Sequence, residues 1–248
     1  MGSADFPRYF EAQYAQYTED IPFWLELALE SRGPVLELGC GSGRVLLALA
    51  AAGLPIVGID HDPGMLARAA SHLPQESSHL VSLRQLDIRD YNLEGPFPLV
   101  ISPCNTFALL PDDDFRQAAT CAIRHLAPGG RLVLDLPPQT QTFIPVAEDS
   151  ELRAAFEDLE TGNPVQVSSQ ERVDPEGSRL HVTWLYDELL PDGRVERTEV
   201  PVTFHLRGPE ALSRLFSGSG YQAIEYYADF QRRAYHPGST RIIVSAST

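Results

Sequence analysis

With 248 residues and 43% hydrophobic content, the chain can bury one large core, or one core with an elaboration; it is neither collagen-like, disordered nor repetitive. A formal net charge of −15, from 34 acidic and 19 basic residues, repels phosphate backbones, argues against duplex binding and favours solubility. Three cysteines (Cys40, Cys104, Cys121) form no disulfide framework, the first residues lack a basic-then-apolar signal pattern, and no apolar run could span a bilayer, so a cytoplasmic protein without membrane or nucleic-acid partners is expected.

Residues 1–33 are aromatic-rich and read as an N-terminal helical cap; IPFWLELALES has helical spacing, Pro22 suits a first turn, and Gly33-Pro34 ends it. Strand and helix then alternate. Val35–Leu38 is a short buried strand, followed by a glycine-rich loop and the helix RVLLALAAAG. Pro55–Asp60 is the second strand and PGMLARAASHL the second helix of this run, with Asp62 suited to its N-cap. LVSLRQLD ends at Asp87, Pro98–Ser102 is the fourth strand, and DDDFRQAATCAIRHL is a helix whose acidic first turn suits the helix dipole. RLVLDLP is the fifth strand. Repeated βα units with short loops predict a doubly wound α/β fold with a mostly parallel sheet covered on both faces.

Residues 137–207 change character. EDSELRAAFEDL reads as a helix, and VQVSSQERV, RLHVTWLYDELL and RVERTEVPVTFHL read as strands joined at Asp174–Gly177 and Pro191–Gly193, an inserted antiparallel β meander. Its role is substrate handling or oligomerisation; a homodimer could form across its open outer strand, where Val200, Val202 and Phe204 share a face that is equally well core. Residues 208–248 return to the α/β core of 34–136 with a helix, PEALSRLFSGSG, and two strands able to pair at a sheet edge.

The chemistry is written in three places. Glu37-Leu38-Gly39-Cys40-Gly41-Ser42-Gly43 lies between a first parallel strand and a helix, where glycines allow a sharp turn and close ligand approach and the helix start presents free N–H groups. The nicotinamide pattern G-x-G-x-x-G/A fails, because Arg44 or Leu46 stands at the third position, and no Walker A Gly-Lys-Ser/Thr follows. Asp60 closes the second strand; alone it suits a helix N-cap, but joined to the glycine loop it suits two ribose hydroxyls. Asp87-Ile88 follows the third strand and is either a solvent-facing acid loop or an adenine-reading pair, carboxylate to amino group and N–H to ring nitrogen.

In this order VLELGCGSGR, GIDHDPGML, LRQLDIRDY, VISPCNTFALL and LAPGGRLVLDLP resemble the successive motifs of class I methyltransferases over residues 34–136. The resemblance implies a Rossmann-like seven-stranded sheet with an antiparallel final strand and S-adenosyl-L-methionine as cofactor. By motif, Glu37, Gly39, Cys40, Gly41 and Gly43 would shape the methionine and ribose pocket, and Asp60 would hold the ribose. His61 and Met65 would flank adenine, Asp87 and Ile88 would read its edge, and Ser102, Pro103 and Cys104 would lie beside the sulfonium. Arg44 would pair with the cofactor's carboxylate or form a surface salt bridge.

YFEAQYAQYTEDIPFW together with the meander is similar to bacterial small-molecule methyltransferases of the glycine N-methyltransferase-like and amino-sugar N-methyltransferase-like groups. That likeness implies that Tyr14 and Tyr17 lie over the donor, where a tyrosine oxygen can make weak C–H···O contacts with the methyl group; packing on an amphipathic helix explains them equally. The expected reaction is in-line transfer to a small-molecule amine or hydroxyl, with alignment as the main task. Candidate catalytic groups are Tyr14, Asn105, His181 and His205, with His236 a further possible base, while no metal-ligand spacing is present. The fourth-strand loop Ser102–Phe107 lacks the Asn/Asp-Pro-Pro-Tyr/Phe tetrapeptide that marks enzymes methylating nucleobase or glutamine amino groups. Two other readings stand beside this one: a protein that binds S-adenosylmethionine or S-adenosylhomocysteine without catalysis, and an NAD(P)-dependent oxidoreductase.

Overall fold

A computed structural model describes residues 6–139, 151–158 and 160–248. In chain order the helices are α1 (Phe6–Tyr14), α2 (Ile21–Ser31), α3 (Arg44–Ala51), α4 (Pro63–Ser71), α5 (Asp112–His125) and α6 (Pro209–Phe216). The strands are β1 (Val35–Leu38), β2 (Ile56–Asp60), β3 (Val81–Gln85), β4 (Phe97–Ser102), β5 (Leu126–Leu136), β6 (Glu151–Glu157), β7 (Pro164–Val173), β8 (Arg179–Leu189), β9 (Val195–His205), β10 (Ala223–Tyr227) and β11 (Ile242–Ser247). They form two compact units, Glu19–Gln139 with Leu206–Thr248, and Met1–Thr18 with Thr140–His205. The first 33 residues are thus divided, α2 grouping with the larger unit and α1 with the smaller.

The larger unit is a seven-stranded sheet in the order β10-β11-β5-β4-β1-β2-β3. Neighbours from β5 to β3 are parallel, and β11 runs antiparallel to both β10 and β5. All four residues of β1 are buried, as a central strand covered on both faces requires. Phe23, Trp24 and Leu27 of α2 and Leu46 and Leu49 of α3 pack with Val35, Ile56, Leu99 and Ile101 of the sheet. Asp62 caps α4 by accepting from the backbone N–H groups of Gly64 (2.7 Å) and Met65 (3.2 Å). The chain runs outward from β1 to β2 and β3, then returns to place β4 on the other side of β1. The loops after β1 and β4 therefore leave in opposite directions, the switch point at which open α/β sheets bind ligands.

The smaller unit is the antiparallel sheet β6-β7-β8-β9. The hairpins close where expected, the N–H of Gly177 donating to the Asp174 carbonyl and that of Gly193 to the Leu190 carbonyl. The helix expected over 148–159 is not what forms at Glu151–Glu157, which is β6; residues 148–150 and 159 lie outside the described residues. Leu, Arg, Ala and Glu favour a helix locally, but Ala154 and Phe156, two apart, meet Val167 and Val165 of β7 and join the apolar cluster there. A strand partner and a period of two override weak propensity.

Helix α1 covers one face of this sheet. Tyr9 stacks on Tyr186 with ring centroids 5.1 Å apart, within a cluster containing Val165, Val167 and Val200, with Val202 packed against it. The face carrying Val200 and Val202 is thus core at those positions. Beneath α1 lies buried Glu188, which accepts from the Tyr9 hydroxyl (2.6 Å), Arg8 (2.9 Å), Thr161 (2.9 Å) and Asn163 (2.7 Å). Burial alone would raise its carboxyl, but these donors and the Arg8 charge hold it at about 2. Because the folded-state value is depressed, the stabilisation is present above the unfolded carboxyl range, near 4.3, and is lost as pH falls toward about 2. Glu188→Ala is expected to cost about 1.5–3 kcal/mol in urea unfolding at pH 7, limited because Arg8 keeps Asp158 at 3.0 Å, with a smaller loss at pH 2. An equal loss at both pH values would contradict this account.

Candidate functional site

The site is assembled at the carboxyl ends of β1, β2 and β4. After β1 the chain turns through Gly39 (φ 73°), Gly41 (φ 53°) and Gly43 (φ 90°), all left-handed, and Gly43 sits at the N-cap of α3. A Cβ on Gly39 would stand 2.5 Å from Thr106 Cγ2, whereas one on Gly41 would meet nothing within 4 Å. The first glycine is demanded by packing and the second faces open space.

Three carboxyl groups lie buried around this turn. Glu37, at the end of β1, is 3% exposed, and its Oε2 has no hydrogen-bond partner. Burial pushes its carboxyl up to about 8; Asp20 and Asp60 add to the rise, and the Arg44 charge and the Leu46 N–H only partly offset it. Asp60, at the end of β2, accepts from the Gly41 N–H (2.8 Å) through Oδ2 and the Asp62 N–H (2.9 Å) through Oδ1. One backbone donor per oxygen leaves each with acceptor capacity. Asp20, just before α2, is fully buried and accepts from both terminal nitrogens of Arg44 (2.6 and 2.8 Å) and from the Trp24 indole (2.8 Å). Arg44 also reaches Cys104 Sγ at 3.1 Å, so it belongs to an interior ion pair and not to a surface one.

The other expected positions are found as follows. Cys40 is buried, and burial pushes its thiol well above the usual range. Met65 is buried on α4, while the His61 side chain is 87% exposed beside Asp60. Asp87 is gripped by Arg89, whose backbone N–H (2.9 Å), Nε (3.0 Å) and Nη2 (2.6 Å) all donate to it, and these bonds hold its carboxyl below the usual range; Ile88 is half-buried beside it. Ser102 is buried with its hydroxyl donating to the Leu38 carbonyl (2.9 Å), which fastens the end of β4 to the end of β1. Pro103 is buried; Cys104 and Asn105 follow in the left-handed region at φ 54° and 63°. For non-glycine residues this conformation costs about 1–3 kcal/mol each and persists only where the surroundings impose it. Burial pushes the Cys104 thiol up to about 11, with Arg44 pulling the other way, so it is no nucleophile at neutral pH.

Four of the remaining candidates, Tyr14, Tyr17, His181 and His205, lie in the smaller unit. Tyr14 and Tyr17 meet edge to face with centroids 6.5 Å apart. The ring of His181 shares a hydrogen bond with the Thr203 hydroxyl (3.0 Å), and His205, opposite Arg179, lies on the same face of the meander, the one turned away from α1. In the larger unit the His236 Nδ1 accepts from the Gly238 N–H (3.1 Å) within its own turn. Among the described residues no group of His, Cys, Asp or Glu is placed to hold a metal ion, and no helix is long and apolar enough to cross a membrane.

Asp20, Asp135 and Arg241 belong to this region and were not singled out from the sequence. Asp20 stands where a helix N-cap would, but its side chain makes no capping bond. Asp135, in β5, is 2% exposed and accepts from Arg241 at 2.7 Å.

Residues 35–130 match a family model described as "Methyltransferase domain". The chain is 31% identical over 127 residues to the putative methyltransferase YqeM of Bacillus subtilis (strain 168), covering 50% of this chain and 49% of that protein, so it spans about half the length of that curated relative. The fold is that of an S-adenosylmethionine-dependent methyltransferase from Clostridium acetobutylicum (TM-score 0.78, 14% identity, 96% of each chain). It is also that of SAM-bound CalS10, an amino pentose methyltransferase from Micromonospora echinaspora (TM-score 0.74, 21% identity, 97% of each chain).

The two glycines separate packing from open space. Gly41→Ala is expected to lose about 1–2 kcal/mol of stability, the left-handed penalty alone. Gly39→Ala adds the collision with Thr106 and is expected to lose clearly more; urea unfolding of the two variants in parallel checks the order.

Proposed function

We propose that this chain, which belongs through residues 35–130 to the class I S-adenosylmethionine-dependent methyltransferases, moves a methyl group from S-adenosylmethionine to an amine or hydroxyl of a small acceptor molecule. The observation that carries the reading is the unsatisfied Oε2 of buried Glu37, in the same turn as the open space over Gly41 and beside Asp60. An orphaned buried carboxyl is costly unless a donor or cation completes it. The residues present fit an amino-acid-bearing nucleoside.

When bound, S-adenosylmethionine supplies an activated methyl group on positively charged sulfur. Glu37 would take the donor's ammonium, Asp60 its ribose hydroxyls, and Met65, His61 and the Ile88 N–H its adenine. Arg44, fixed by Asp20, would stand toward its carboxylate. Asp87 would reach the adenine amino group only by exchanging one of its bonds from Arg89, which competes for the same oxygens. The protein's part in the reaction is then to align the acceptor with the methyl group and keep water out. The net charge of −15 supports a small acceptor over a nucleic acid. That CalS10 is an amino pentose methyltransferase supports an amine among the acceptors to be tried first.

Titration calorimetry with S-adenosylmethionine, S-adenosylhomocysteine and NAD(P)H tests the donor. Binding of the adenosyl ligands, weakened by Asp60→Ala and absent for NAD(P)H, is expected; NAD(P)H binding without adenosyl binding would reverse the assignment. Because burial pushes Glu37 up to about 8, it is mostly protonated at pH 7 before a cation pairs with it, and pairing it with an ammonium expels the proton. Binding at pH 7 is therefore expected to release up to about one proton per site and to tighten as pH rises from 6 toward about 8. Calorimetry in buffers of different ionisation enthalpy reads this release, and Glu37→Gln should abolish it.

A further inference from the structure

Arg207, just ahead of α6 in the larger unit, is a buried cation whose hydrogen bonds are incomplete; its side chain is 5% exposed. Its Nε (3.0 Å) and Nη2 (2.9 Å) donate to Asp112 Oδ1, and Nη2 also donates to the Leu110 carbonyl (2.6 Å). The guanidinium lies over the Phe115 ring, 5.0 Å from its centroid, and Phe115 meets Phe107 edge to face at 5.2 Å. Because the group is planar with its nitrogens fanned apart, Nη1 is turned away from Asp112. Nη1 is buried and has no hydrogen-bond partner among the described residues. Asp112 answers the charge through one oxygen and is itself 63% exposed, so solvent screens the pair. Burying a cation with unused donors is costly, and an apolar side chain would cover Phe115 without that cost.

Leu110 and Asp112 follow β4, and Gln139, whose amide leaves no room for a Cβ on Gly208, follows β5. Arg207 therefore stands among the segments that leave the carboxyl ends of β4 and β5, whereas Glu37, Gly41 and Asp60 belong to the ends of β1 and β2. The donor fills the β1–β2 side of the switch point, and the β4–β5 side is what remains for the acceptor. Resting on that donor assignment, we propose that Arg207 is a specificity-determining residue for the acceptor, its Nη1 donating to a carboxylate or phosphate oxygen that the acceptor carries. Such an oxyanion only accepts, as Nη1 only donates, and it brings the charge that screened Asp112 supplies incompletely. A hydroxyl or carbonyl would use the N–H groups but leave that charge unanswered, and an ammonium would be repelled. The acceptor is then an amine or alcohol that also bears an acid, held by the acid while its nucleophile meets the methyl group.

Labelling the full chain with 15N-arginine makes the Arg207 Nε–H observable, since its bond to Asp112 slows exchange with water, and Arg207→Gln identifies the signal by its loss. Sodium acetate and inorganic phosphate, each added against sodium chloride at constant ionic strength, stand in for the two acids. A shift that saturates at millimolar concentration is expected with at least one of them. Saturation by acetate alone makes the acceptor's acid a carboxylate, by phosphate alone a phosphate, and by both an oxyanion of either kind. Asp112→Asn keeps the guanidinium, moves and so identifies its signal should Arg207→Gln fail to fold, and removes the competing charge, so saturation is expected at several-fold lower concentration. No saturable shift with either ion, or an unchanged saturation point in Asp112→Asn, overturns the proposal. With S-adenosylmethionine present, β-alanine or phosphoethanolamine is expected to be methylated ahead of ethanolamine, which lacks the acid; the reverse order overturns the acceptor role. Saturable anion binding by a chain that shows no calorimetric binding of S-adenosylmethionine overturns the donor assignment and, with it, the acceptor role, and leaves the oxyanion site standing.

Discussion

A guanidinium at the first position of α3 ties together three segments that the sheet by itself leaves apart. Arg44 is mostly buried, and burying a cation without a partner is prohibitive. Asp20 answers it with a two-pronged pair, and the Trp24 indole donates to the same carboxylate, so both charges are hydrogen-bonded as well as paired. That satisfies the condition under which a buried ion pair is tolerated. The structural result is that the start of α2, the glycine turn and the Cys104 turn are fixed by one side chain. Because the loops after β1 and β4 diverge at the switch point, some link across the gap is needed if the groups on either side are to hold a common ligand. Arg44 and the Ser102–Leu38 hydrogen bond provide it.

Much of this architecture could be read along the chain, because its signals are local. Apolar runs such as Val35–Leu38 and Ile56–Asp60 announce buried parallel strands, Asp62 announces the start of α4, and the glycines after β1 announce a turn that few other residues could make. The site was legible to the extent that its residues sit in such motifs. Asp20, Asp135 and Arg241 were not, since their roles arise from partners far off in sequence: Arg44 for Asp20, and for Asp135 both Arg241 and the turn after β4. Glu151–Glu157 failed for the related reason that its strand identity is conferred by β7. Ser102 shows a subtler gap. Its position at the end of β4 is evident from sequence, but its hydroxyl is used on the Leu38 carbonyl, a commitment that only the register of β1 against β4 creates.

Two buried glutamates show how differently the structure treats acids of the same exposure. Glu188 and Glu37 are each 3% exposed, and desolvation raises both carboxyls. They end at opposite extremes, about 2 and about 8. The difference lies in a heavier desolvation of Glu37 and in donors. Glu188 has four side chains donating to it from α1 and the meander, and its charge is completed within its own unit. Glu37 has the Leu46 N–H and the more distant field of Arg44, while Asp20 and Asp60 press against its ionisation. Arg44 has already been committed to Asp20, so it cannot complete Glu37 without abandoning the pair that joins the loops. A fold optimised for stability alone would have placed an apolar residue there or supplied a donor. The turn instead keeps an acid whose Oε2 has no partner among the described residues, and it is this unmet acceptor that the proposed donor's ammonium would complete.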